Sequence, residues 1–226
     1  MVGMKDAKRH LCAQRCPAVA APVVLVAEGL CLRFPQREVV NNLSLRIPPG
    51  ITLVRGGEST GKTTLLRVLA GVLAPDRGRV GVNGISLYDD PAAYRQQVFW
   101  AEVRSEEFDK MIVADYLRLQ QRLHSGFDAH QLAMLLDGFS LGGHLDKLLY
   151  MLSTGSKRKV RLAAAFASGA AVTLLDDPLA ALDTASVRCV LALLRDRATH
   201  PSRAWVVSGY EALPNLPLAA VIDLGD

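Results

Sequence analysis

The sequence predicts an α/β protein built on a mostly parallel β-sheet with covered faces and an inserted helical lobe. Three observations carry this. Short apolar runs alternate with stripes of helical spacing toward both ends of the chain, the pattern of strands linked by crossover helices. One of these runs leads through a glycine-rich segment directly into a helical stripe. Between the two α/β parts, residues from about 91 to 149 carry helical spacing without a clear strand.

The chain has 226 residues, enough for one domain or one domain with an inserted lobe. It is 50% hydrophobic and 21% charged, so it can bury a core, which argues against global disorder. The net charge of +4 is small and forms no patch that would favour nucleic acid or anionic lipid. No run reaches the roughly 20 apolar residues that span a bilayer. Residues 18–27 come nearest and are broken by Pro22. Lys5, Lys8, Arg9 and Arg15 resemble the basic start of a signal peptide, but the apolar run after them is proline-interrupted and then reads as a strand. Cys12, Cys16, Cys31 and Cys189 form no CxxC pair or zinc spacing and are expected as free thiols in a reducing compartment.

In chain order, residues 1–22 mix charge, alanine and proline without a period and read as a loose tail, leaving 23–226 as one domain. Residues 23–26 read as a first strand. Leu43, Leu45 and Ile47 alternate with Ser44 and Arg46, a half-buried strand. Pro48-Pro49-Gly50 turns the chain into the continuous apolar run 51–54, which suits a buried strand. A helix follows over 64–70, stopped near Gly71, then a turn at Pro75-Asp76-Arg77-Gly78 and a strand at 79–82. In the lobe, Ile112, Tyr116, Leu119 and Leu123 fit one helix, and Leu132, Leu135 and Leu136 another. Val160, Ala163, Ala164 and Ala167 suit a small-residue helix face. Residues 171–175 read as a buried strand that runs into Asp176-Asp177. Val187, Val190, Leu191 and Leu194 form a helix stripe halted before Pro201, and 204–207 and 219–222 are two further strands.

Gly56-Gly57-Glu58-Ser59-Thr60-Gly61-Lys62-Thr63 matches G-x-x-x-x-G-K-[ST], and it sits after a buried strand and before a helix, where the chemistry needs it. Glycines let backbone N–H groups turn inward around phosphates, and the helix N-terminus adds positive potential. Lys62 is placed to reach the β- and γ-phosphate oxygens and Thr63 to hold Mg²⁺; with Thr64, these residues are the candidate ATP-binding set. Asp176 ends an apolar strand and is the candidate Mg²⁺ carboxylate, with Asp177 next to it.

The order of motifs resembles the ATP-binding cassette (ABC) ATPases, from about residue 23 to residue 226. The deciding segment is Leu152-Ser153-Thr154-Gly155-Ser156-Lys157, similar to the family's LSGGQ signature, with Asp176 falling 23 residues after Ser153. Ala181-Leu182-Asp183 is similar to the family's D-loop. The resemblance implies a P-loop NTPase cassette with an antiparallel β part near the N-terminus and a helical subdomain at about 91–149. It also implies an ATP sandwich between two cassettes, as homodimer or heterodimer, that powers a separate transmembrane subunit from the cytoplasmic face of the membrane. Phe34 takes the place of an aromatic that stacks on adenine, although core packing would explain it as well. Ser153 and Gly155 would face the γ-phosphate of an ATP held by the second copy. Lys157, Arg158, Lys159 and Arg161 suit either a nearby anion or a solvated basic face.

Three positions depart from the family. Asp177 stands where a catalytic glutamate is usual, with the same charge on a side chain one methylene shorter. Glu102 stands in place of the Q-loop glutamine; it can still coordinate Mg²⁺ and link the lobe to the γ-phosphate, but when ionised it cannot donate a hydrogen bond. The switch histidine is missing after strand 204–207, where Ser208-Gly209-Tyr210 stands; either Ser208 or Tyr210 is the candidate substitute. Two functions follow from these residues. One is an ATP-hydrolysing transporter subunit, with Asp177, Lys62 and Glu102 catalytic. The other is an ATP-binding clamp with slow or absent turnover. A soluble cassette acting on nucleic acid is disfavoured, because there is neither a basic stripe nor a coiled-coil insertion nor a tandem cassette.

Overall fold

A computed structural model describes residues 22–34, 37–101, 106–210, 213 and 215–225. Residues 1–21 of the expected tail, with Cys12 and Cys16, lie outside them. The described elements are, in chain order, β1 (Leu25–Phe34), β2 (Arg37–Ile47), β3 (Gly50–Arg55), α1 (Lys62–Leu69), β4 (Arg77–Val82), β5 (Ile85–Ser86), α2 (Pro91–Gln97) and β6 (Val98–Ala101). Then come α3 (Val113–Leu123), α4 (Ala129–Gly138), α5 (Thr154–Ala167), β7 (Val172–Asp176), α6 (Thr184–Arg197), β8 (Ala204–Gly209) and β9 (Ala220–Asp223).

Two sheets form the frame. Strands β6-β7-β8-β3-β9 make a parallel sheet, and β2-β1-β4-β5 an antiparallel one, as the cassette resemblance implies. The alternation of side chains in the parallel sheet supplies two separate cores. Trp205 and Val207 of β8 join α5 and α6 on one face, whereas Ala204 and Val206 join α1 and the antiparallel sheet on the other. Helix α5 meets the sheet through small residues: Ala163, Ala164, Ala165 and Ala167 are all buried.

Two expectations are corrected. The first strand is not limited to residues 23–26: β1 continues to Phe34. A bulge hides this from a period-two reading. Leu25 and Ala27 are buried before it and Leu30 and Leu32 after it, so the inward parity changes across Glu28-Gly29. Gly29 takes φ +60 there, the left-handed turn that glycine permits. The stretch 91–149 is also not free of strands. β6 pairs in parallel with β7 at the sheet edge, Val98 against Val172 and Ala101 against Leu175. Four residues with both faces covered leave no alternation to read.

The register of the parallel sheet places its carboxyl ends together. Ser208 of β8 lies opposite Val54 of β3 on one side and Asp176 of β7 on the other. Residues that leave these three strands therefore emerge side by side.

The connection after α5 also depends on one close approach. Gly169 has φ +68, and a Cβ built on it would lie 2.0 Å from the Gly126 carbonyl oxygen. Gly84 has φ +82 with nothing within 4 Å. Gly84→Ala should therefore lose only the left-handed backbone allowance, about 1 kcal/mol, while Gly169→Ala adds a clash and should lose about 3 kcal/mol or more. Denaturant unfolding of the two variants checks this; equal losses would show that the Gly126 contact relaxes freely.

Candidate functional site

The glycine-rich loop leaves β3 at the carboxyl edge of the sheet and enters α1. Close contacts shape it. A Cβ on Gly56 would meet Thr60 Oγ1 at 2.6 Å and the Gly225 carbonyl at 2.9 Å, and one on Gly61 would meet Val39 Cγ1 at 2.5 Å. Gly57 N donates to the Gly225 carbonyl at 3.0 Å, so the chain after β9 braces the loop. That brace is itself anchored. The Asp223 carboxylate accepts from Gly225 N and Arg55 Nε, and these two contacts hold it below the usual carboxylate range. Ser59 adopts φ +59, a left-handed turn made with a side chain rather than a glycine. Gly61 precedes α1 without a side-chain cap, which leaves the first N–H groups of that helix to other partners.

Lys62 folds back over the loop. Its Nζ donates to the carbonyls of Gly56 (2.7 Å) and Gly57 (2.5 Å), and it lies 4.9 Å from the centre of the Tyr210 ring. Tyr210 also lines a cavity of about 340 Å³ with Arg55, Gly56, Asp223 and Gly225. The next residue reaches across the sheet: Thr63 Oγ1 donates to Asp176 Oδ2 at 2.8 Å. Ser208 Oγ donates to the other oxygen, Asp176 Oδ1, at 2.5 Å and accepts from Asp177 N at 3.0 Å. Asp177 is exposed, at φ +44. The fold thus brings the loop residues Gly56, Gly57, Glu58, Ser59, Thr60, Gly61, Lys62 and Thr63 into one region with Asp176 and Asp177. Among the described residues no group of three or more His, Cys, Asp or Glu is placed to hold a metal.

Phe34, Ser153 and Gly155 have other neighbours. Phe34, half exposed at the end of β1, lines a cavity of about 660 Å³ with Cys31, Leu32, Arg33, Asn41, Asp76 and Arg77, and none of these belongs to the loop. Glu102 lies outside the described residues. Ser153 caps α5 by accepting from Ser156 N at 3.1 Å, and a Cβ on Gly155 would lie 2.6 Å from the Ala181 carbonyl oxygen. The two serine and glycine positions are therefore set by the start of α5 and by the loop that follows β7.

The basic run on α5 is neither a solvated face nor a set of cations open to an anion. Lys157 pairs with Asp109 at 2.7 Å and Lys159 with Asp183 at 2.5 Å. Arg158 and Arg161 are buried, and Arg158 Nη1 donates to the Ala180 carbonyl. Helical spacing alone cannot reveal this, because Asp109 is 48 residues from Lys157. Gly225 and Asp223, which brace the loop, carried no signal in the sequence either; only the pairing of β9 with β3 brings them there.

A phosphate-loop α/β protein with a parallel sheet is the class that this fold and site define. The chain belongs to the ABC transporter family: the family model of that description matches residues 40–180. It is 34% identical over 166 residues to the cytochrome c biogenesis ATP-binding export protein CcmA of Pseudomonas savastanoi pv. phaseolicola, covering 73% of this chain and 78% of that one. Against the protein of the same name from Pseudomonas syringae pv. syringae it is 30% identical over 211 residues, covering 92% and 98%. Against the taurine import ATP-binding protein TauB of Ruegeria pomeroyi it is 36% identical, covering 70% of this chain and 61% of that one. A solved ATP-binding subunit of an ABC transporter shares the fold with a TM-score of 0.73 at 22% identity, covering 82% of this chain and 79% of that one. An ABC transporter ATP-binding protein from Pyrococcus furiosus shares it at 0.68 and 24% identity, with 88% and 96% covered. The chain is an ATP-binding cassette of the ABC ATPase type. No helix among its described residues is long and apolar enough to cross a membrane.

Asp183 is the anchor beside the signature segment. Hydrogen bonds from Lys159, then from Ser186 N and Oγ, hold its carboxyl well below the usual range. A lowered carboxyl adds stability that is full above its ordinary value of 3.8 and lost as pH falls toward the folded value. Asp183→Asn keeps an acceptor for the cap but removes the charge. It should flatten the acid limb of the stability–pH curve below that pH; an unchanged limb, followed by thermal unfolding, would place the acid sensitivity elsewhere.

Proposed function

We propose that this chain is the ATP-binding and ATP-hydrolysing subunit of an ABC transporter, working as an ATP-sandwich dimer that powers a separate membrane subunit. The observation that carries this reading is the hydrogen-bonded row Thr63–Asp176–Ser208 beside Lys62, at the carboxyl edge of a parallel sheet. The loop amides and Lys62 stabilise the charge that develops as water attacks the γ-phosphorus in line. Thr63 and Asp176 supply adjoining hard oxygens that fit Mg²⁺, an ion that takes only one or two protein ligands and completes its shell with phosphate and water. When bound, Mg²⁺ supplies positive charge to the β- and γ-oxygens. Asp177 orients the attacking water, Glu102 links the site to the helical subdomain at about 91–149, and Phe34 covers the adenine. Ser153 and Gly155 meet the γ-phosphate held by the second cassette. Their neighbouring cations are committed to carboxylates or buried, so this half of the site attracts phosphate through the α5 N-terminus.

The relatives named above include an export and an import protein at similar identity, 34% and 36%. That supports a cassette which carries the ATP chemistry and leaves direction and cargo to the membrane subunit. The dimer, homotypic or with a second cassette, sits against that subunit on the cytoplasmic face of the membrane.

A second reading, an ATP-dependent clamp with slow turnover, is favoured by Asp177. Its carboxylate is one methylene shorter than glutamate and stands on a left-handed backbone at φ +44. Two measurements separate the readings. Lys62→Ala should weaken ATP binding and lower steady-state ATPase about 100-fold or more, since it removes the only side-chain cation that the loop provides; ATPase that survives this change would place the chemistry outside the loop. Asp177→Glu should raise turnover about tenfold if carboxylate reach limits the rate. Unchanged turnover, with ATP-induced dimers that persist, would favour the clamp.

A further inference from the structure

We infer that Ser208 is a positioning residue that locks the two neighbouring acids, Asp176 and Asp177, into one unit. This rests on the reading of Asp176 as the Mg²⁺ carboxylate. Ser208 is 2% exposed, and its hydroxyl bonds to both acids, to the carboxylate of Asp176 and the backbone N–H of Asp177. The Asp176 carboxylate is consequently held at both oxygens, Oδ2 by Thr63 and Oδ1 by Ser208. A carboxylate fixed at both ends keeps a single orientation, which is what an ion of strict octahedral geometry needs from its surroundings.

The contact is set by the sheet and not by a loop. Asp176 and Ser208 are direct partners in the β7–β8 register, although 32 residues separate them. The second bond addresses a different cost. Asp177 is a non-glycine residue at φ +44, a conformation that carries strain of about 1 kcal/mol or more. Its N–H donates to Ser208 Oγ, so the same hydroxyl ties the peptide that leads into this bend to the end of β8.

A hydroxyl has a single proton. Ser208 gives its proton to Asp176 and therefore has none to donate to a phosphate. Of the two residues that could replace the missing switch histidine, Ser208 is thereby committed to the Asp176 carboxylate. Tyr210, the other of the two, stands with its ring over Lys62.

The test is equilibrium binding of a fluorescent ATP analogue to the full chain, in Mg²⁺ and in EDTA, with Mg²⁺ titrated at fixed nucleotide. Ser208→Ala should weaken Mg²⁺-dependent binding about 10- to 100-fold, the usual effect of losing a partner that orients a metal ligand, and leave affinity in EDTA unchanged. Ser208→Thr keeps the hydroxyl and should restore binding to within about threefold. Ser208→Cys, nearly isosteric with a weaker donor, should fall between them, and it serves as the test if the alanine variant does not fold. Equal loss with and without Mg²⁺, no loss in either, or a threonine variant as weak as alanine would overturn the inference. Asp176→Asn separates the two levels: if it leaves the Mg²⁺ dependence intact, the reading of Asp176 itself fails; if it abolishes that dependence while Ser208→Ala does not, only the role of Ser208 fails.

Discussion

The register of the parallel sheet is the constraint on which the rest of this protein depends. Val54, Ser208 and Asp176 lie in one row across three neighbouring strands, so the chain segments that follow them start from a common edge. A slip of one residue would turn every inward side chain outward, and two cores resist that. Trp205 and Val207 belong to one core and Ala204 and Val206 to the other, so β8 is pinned on both faces. The hydrogen bonds at its end inherit this rigidity, and the position of the Ser208 hydroxyl is accordingly not a matter of loop flexibility.

Against that rigid edge, the segments that leave it are bent into conformations that side chains rarely choose. Ser59, Asp177 and Ala181 all have positive φ, and all stand in or next to the loops after β3 and β7. Such bends persist only where surrounding contacts over-determine them. Here the contacts are visible. Gly225 braces Gly57, Ser208 receives the Asp177 N–H, and Gly155 packs so closely on Ala181 that no side chain fits between them. The braces come from β9, β8 and α5, so the sheet and its covering helices together define the loop shapes.

This division explains what could be read in the sequence. Strands whose character is continuous and apolar, such as β3 and β7, were legible, and so was the loop of residues 56–63, because its chemistry depends on residue type at fixed spacing. β6 was not, since four residues at a sheet edge resemble the helical stretch around them. The full length of β1 was obscured by its bulge at Gly29, which shifts the inward parity midway. The pairing of Lys157 with Asp109 and the burial of Arg158 and Arg161 were also out of reach, because partners far apart in sequence leave no periodic trace. Ser208 was noticed only as a stand-in for a missing histidine. Its two hydrogen bonds required the strand register, which a single sequence does not contain.

The two phosphate-facing segments of the proposed dimer therefore differ in physical kind. The loop side has a mobile charge, since Lys62 can trade its carbonyl partners at Gly56 and Gly57 for phosphate oxygens. The signature side has no such reserve: Lys157 and Lys159 are bound to Asp109 and Asp183, and Arg158 and Arg161 are buried. What remains there is the N-terminus of α5, whose field falls off within about one turn and is effective only at close approach. In the proposed dimer, charge attraction therefore comes from the loop side, and the signature side contributes only at close fit.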